Sequence, residues 1–126
     1  MSQPSLKYIL VVDIAEDIQQ VIRRSLKHNV NWQVILANSI TEGLALIKTK
    51  RPDVILLEAS LLDNCHSNIW QQLKTIVSNH SIPLVFMAAR VKAMDRLKFQ
   101  QLGGTTEIAK PFDPKDLVET ISQVLN

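Results

Sequence analysis

The chain has 126 residues, enough for one domain with a hydrophobic core and no covalent staples. Hydrophobic residues make up 46% and charged residues 21%, a globular composition, and a net charge of +2 does not by itself indicate a nucleic-acid or membrane partner. A single cysteine, Cys65, excludes an internal disulfide and fits a reducing compartment. The opening Met1-Ser-Gln-Pro-Ser-Leu6 has no apolar stretch of the secretory kind, and no apolar run approaches the length of a bilayer span, so a cytoplasmic protein is expected.

Tyr8 to Val12 is apolar and β-branched and stops at Asp13, which reads as a buried strand. Asp17 to His28 follows at helical spacing, with Ile18, Val21, Ile22 and Leu26 as its apolar side and Gln19, Arg23, Arg24 and Lys27 opposite. Trp32 to Ala37 is a second strand, and Asn38 or Ser39 caps a helix from Ile40 to Lys50 that Pro52 ends. Val54-Ile-Leu-Leu-Glu58 is a short apolar run ending on a carboxylate, as in the middle of a parallel sheet. Residues 59 to 68 read as a loop and Ile69 to Val77 as a helix. Leu84 to Met87 is a fourth strand, followed by a helix from Lys92 to Leu102 that Gly103-Gly104 caps. Thr106 to Ala109 is a short strand, and Pro114 opens a last amphipathic helix.

Strict β-α alternation with no repeat or linker predicts a single α/β domain over residues 1–126, with its core from about 7 to 125. The expected sheet is five-stranded, parallel and doubly wound, in the order 2-1-3-4-5. In that order Asp13 and Glu58 lie side by side at the topological switch point, and Lys110-Pro111-Phe112 closes the edge from the fifth strand. Two carboxylates near an ammonium fit either a phosphoryl or Mg²⁺ site or a salt-bridged strand end, and spacing alone leaves both open.

Ile9-Leu-Val-Val-Asp13, Arg51-Pro-Asp-Val-Ile-Leu-Leu-Glu58, Ile82-Pro83 with Ala88-Ala89, Gly103-Gly104 and Lys110-Pro111-Phe112 come in one particular order and spacing. The set resembles a response-regulator receiver domain of the chemotaxis-regulator-like kind, across essentially the whole chain. The resemblance implies the flavodoxin-like (βα)5 fold and the phosphoacceptor half of a two-component system or phosphorelay. Such a domain takes a phosphoryl group from a histidine kinase onto an aspartate with Mg²⁺, then repacks one face.

This chain departs from the family pattern at several positions. The second acidic residue after strand one is replaced by Ile14, which has no oxygen for a metal. The phosphoacceptor-equivalent position holds Glu58, the Thr or Ser position after strand four holds Ala88, and the aromatic switch position of strand five holds Glu107. Only Asp13 and Lys110 keep their expected types, so the active-site remnants are Asp13, Ile14, Ala88, Lys110 and Pro111. The extra methylene of glutamate moves its carboxylate by more than ~1 Å, in a reaction catalysed by positioning and charge neutralisation. Ala88 donates nothing to a phosphoryl oxygen, and Ile14 is expected to stand where water would complete a Mg²⁺ shell. Mg²⁺ binding is therefore expected to be weak or absent, with no other cofactor or metal and no enzymatic activity.

The expectation is a pseudo-receiver in which a Glu58–Lys110 ion pair replaces the phosphate-lysine contact, with a merely structural strand-end carboxylate as the alternative. A conventional receiver still phosphorylated in a phosphorelay, weakly or at Glu58, is the runner-up function; a small-ligand-binding or scaffold domain is the third. The partner is a signalling protein, either a histidine kinase or an effector, on another chain or on a longer version of this one. Arg90, Lys92, Arg96 and Lys98 offer a basic partner face around helix four. Homodimerisation through helix four, strand five and helix five is the family-implied alternative to a solvated helix.

Nucleic acid and membrane are not expected partners, because no helix-turn-helix follows and no aromatic residues interleave with the basic ones. Cys65-His66 is too small a set for a metal site, and His28 and His80 are isolated at helix ends. A flavin reading fails because Asp13-Ile-Ala-Glu-Asp17 would repel a phosphate.

Overall fold

The computed structural model describes residues 6–89 and 93–125. Five strands, β1 (Lys7–Val12), β2 (Trp32–Ala37), β3 (Val54–Glu58), β4 (Leu84–Ala88) and β5 (Thr106–Ala109), alternate with five helices. The helices are α1 (Glu16–Leu26), α2 (Ile40–Thr49), α3 (Ser67–Asn79), α4 (Ala93–Gln101) and α5 (Pro114–Leu125). All strand pairs are parallel, and the sheet order is β2-β1-β3-β4-β5, as the alternation predicts.

The central strands are apolar on both faces because helices cover both. Ile9, Val11, Val54, Leu56, Val85 and Met87 pack with Ile22 and Leu26 of α1 and Leu117 and Ile121 of α5. Leu10, Val12, Ile55, Leu57, Leu84 and Phe86 pack with α2, α3 and Phe99 of α4. Each buried Leu or Ile contributes about 1.5–3 kcal/mol over exposure, so the two layers dominate stability. Gly104 is required by close approach: a Cβ there would lie 2.7 Å from the Phe86 ring. Together with Gly103, at φ +94, it closes α4 through amide bonds to the Gln100 and Phe99 carbonyls.

Three local expectations are corrected. Residues 59–68 are not a plain loop: Ala59–Asn64 form a 3-10 helix, and α3 already begins at Ser67 because the His66 imidazole accepts the Asn68 amide hydrogen at 3.4 Å. Val21 lies on the exposed rim of α1 rather than on its apolar side. Gln19, assigned to the solvent side, is only 6% exposed. Residues 19, 22 and 26 share the i, i+3, i+7 stripe that faces the sheet, so Gln19 goes inward with Ile22 and Leu26.

Candidate functional site

Register brings the site together. Val12 pairs with Leu57, so the next residues, Asp13 and Glu58, emerge side by side at the carboxyl edge of β1 and β3. Ala88 pairs with Ala109, and the Ala88 carbonyl accepts the Lys110 amide hydrogen at 2.7 Å, fixing where the lysine leaves β5. β4 ends in a methyl group, which leaves the ammonium a path back across the sheet. The Lys110–Pro111 peptide is cis, and Phe112 packs on the α1/α5 side of the core.

Lys110 Nζ lies 2.6 Å from Asp13 Oδ2 and 3.4 Å from Glu58 Oε1. Asp13 is 1% exposed, and its other oxygen accepts the Ala15 amide hydrogen at 2.9 Å. The shorter contact to Asp13 makes it the main partner of the lysine, with Glu58 as the second. Glu58 Oε2 is buried with no hydrogen-bond partner. Burial pushes the Glu58 carboxyl above the ordinary 4.5; the Lys110 ammonium opposes that rise and the neighbouring Asp13 charge adds to it.

A second layer was not anticipated. The Gln19 side-chain amide donates to the backbone carbonyl of Asp13 and, at 2.8 Å, to Asn38 Oδ1. It therefore ties the turn after β1 to the turn after β2. The signal in the sequence was helical phase alone, since residue 19 falls on the inward stripe. Nearby, Ser39 caps α2 by accepting the Glu42 amide hydrogen at 3.0 Å.

Ile14 does not occupy a hydration position in the pocket: it is 68% exposed and lines a groove with Ser39, Leu61, Cys65 and His66. Its backbone must turn so that the Ala15 amide can meet Asp13, which swings the intervening side chain outward. Cys65 and His66 are used locally, the thiol donating to the His66 carbonyl at 3.4 Å, and burial raises the thiol's pKa. Among the described residues no group of His, Cys, Asp and Glu is placed to hold a metal ion.

Glu107 sits beside α4, its Oε1 3.0 Å from Arg96 Nε. One cation of the expected basic face is therefore already paired within the chain. Lys98 is exposed, and so are Met94 and Leu97. Arg90 and Lys92 lie outside the described residues.

The family model for the response regulator receiver domain matches residues 9–122. The chain belongs to that family. The receiver is similar to the phosphate regulon transcriptional regulatory protein PhoB of Escherichia coli, at 30% identity over 117 residues, covering 93% of this chain and 51% of that protein. The corresponding Pseudomonas aeruginosa protein is 27% identical, with 94% and 52% covered, so the chain spans about half the length of the curated relatives it matches. Among solved structures, the non-phosphorylated HemR receiver domain from Leptospira biflexa matches with a TM-score of 0.76 at 25% identity, covering 95% of this chain and 94% of that one. The chemotaxis response regulator CheY4 of Vibrio cholerae matches in fold, with a TM-score of 0.80 at 22% identity, covering 96% and 100% of the two chains.

The family implies a Mg²⁺ ion at this edge, and the residues present do not fit one. Asp13 is committed to an ammonium and an amide, Ile14 supplies no oxygen, and Glu58 offers a single unengaged oxygen. A hard octahedral ion held by one such atom would keep nearly its whole water shell. Among the described residues no helix is long and apolar enough to cross a membrane.

Proposed function

We propose that this receiver signals through protein contacts in a state that phosphoryl transfer does not set. The observation that supports the reading is the Asp13–Lys110–Glu58 cluster, in which the lysine's charge is already met by two carboxylates. A phosphoryl donor approaching Glu58 finds no hydroxyl at Ala88 and a thinned set of metal ligands. Phosphoryl transfer depends on those positioned charges, so their loss removes the chemistry while leaving the fold intact. The domain is then a binding module rather than an enzyme, its partner a kinase or an effector. The surface of α4, β5 and α5 is its contact face, and its pairing with a second copy is the homodimeric form of the same proposal.

One observation favours a second reading, a receiver phosphorylated weakly at Glu58. The unpartnered Glu58 Oε2 is an acceptor with nothing to accept from. Incubation with acetyl phosphate and Mg²⁺, read by intact-mass spectrometry, separates the two. No acyl-phosphate adduct is expected. Beryllium fluoride with Mg²⁺ is expected to leave the Glu58 and Lys110 amide resonances in place. A stable adduct mapped to Glu58 would establish the second reading and end the first.

A further inference from the structure

A groove runs between α1 and β2, at the sheet edge far from β5. Gln20, Arg23, Arg24 and Lys27 line one wall, at the i, i+3, i+4, i+7 spacing that puts them on a single stripe of α1. Three cations stand there together. The Lys110–Asp13, Lys110–Glu58 and Arg96–Glu107 ion pairs all lie away from this wall. The acids of α1, Glu16 and Asp17, share that face but sit in the first turn, seven residues and so about 10 Å along the axis from Arg23 and Arg24, too far to pair with them. The negative end of the helix dipole explains why basic residues are tolerated in the last turn. It does not explain why no carboxylate faces them across a groove.

The opposite wall is the edge strand itself. β1 amides of Lys7 and Asp13 donate to the carbonyls of Asn31 and Ala37, so the odd-numbered residues of β2 face β1. By the alternation of a parallel ladder, the N–H and C=O groups of Val34 and Leu36 point away from the sheet. Among the described residues no backbone group pairs with them. Their side chains, with Trp32, are half-buried on the α1 side of the core. Native proteins usually blunt such an edge, because it templates another strand.

We infer that the α1–β2 groove receives an extended acidic segment of a partner protein. The segment pairs its backbone with β2, presents carboxylates to Arg23, Arg24 and Lys27, and lays apolar side chains on Trp32 and Val34. Strand addition of this kind takes affinity from main-chain bonds and specificity from alternate side chains. A second copy of this chain is disfavoured, since an isologous β2–β2 pair would set the same three cations against themselves. The residues before β1, Met1-Ser-Gln-Pro-Ser-Leu6, carry no carboxylate and do not fill the role. The inference is independent of the phosphoryl-pocket reading.

The test uses the full chain and a fluorescein-labelled peptide of alternating Glu and Val. Saturable binding is expected, with amide shifts in β2 and the C-terminal half of α1 and none at Asp13, Glu58 or Lys110. The double substitution Arg23→Glu, Lys27→Glu is expected to weaken binding by about tenfold or more. Its melting temperature should fall only slightly, because both side chains are exposed and only their contact with the helix dipole is reversed. The same peptide methylated on every backbone nitrogen should not bind, a control that leaves the protein untouched. Equal binding by the methylated peptide or by the double variant would overturn the inference. So would displacement by single-stranded DNA at a lower concentration than unlabelled peptide.

Discussion

Two ion-pair sites flank β5, and they share chemistry but not surroundings. At the carboxyl edge, Lys110 meets Asp13 and Glu58 with side chains only 13%, 1% and 13% exposed. Beside α4, Arg96 meets Glu107 with side chains 60% and 19% exposed. Burial of the first site leaves little room for water to screen it, so each charge depends on the others; the second is open to screening on its arginine side. Burial, not the residue types, decides how much each pair matters to the fold.

That contrast can be broken most directly at Lys110. Lys110→Met leaves a buried Asp13 without its cation, and the expected loss is about 3–5 kcal/mol in urea unfolding. A loss below about 1 kcal/mol would put the buried site in the same class as the exposed one. Gln19→Leu is expected to cost about 1–3 kcal/mol by the same measurement, because the Asp13 carbonyl and the Asn38 amide lose their shared donor.

Glu58→Gln sharpens the comparison through pH. The native carboxyl titrates above 4.5, so between 4.5 and its native value the folded chain holds a proton that the unfolded chain has released. Stability therefore falls as pH rises through that window. The Gln variant should lose that part of the slope in a melting-temperature series, while Arg96→Ala should keep it. Arg96→Ala is the smallest effect, about 0.2–1 kcal/mol and smaller still in added salt.

Much of this was legible in the residues. The runs ending at Asp13 and Glu58 and the strict alternation lead to the sheet order, and the order puts those two carboxylates together. The caps at Ser39 and Gly103-Gly104 were legible as well, being local in sequence. Gln19 was not. A polar residue on the inward stripe of a helix reads as an error of phase until its two acceptors are known, and those lie on different turns. Ile14 misled for a related reason: its type rules out metal ligation, but its direction depends on how the backbone bends to let Ala15 reach Asp13.

The sequence by itself determined the architecture and the missing oxygens, because periodicity, chain order and side-chain chemistry are properties of the string. Only the tertiary structure decided that Lys110 favours Asp13 over Glu58, that one Glu58 oxygen is left without a partner, and that Arg96 is tied to Glu107. These depend on differences of an ångström or less between groups far apart in the chain. Coulombic and hydrogen-bond energies change steeply over that distance, while sequence spacing carries no information about it.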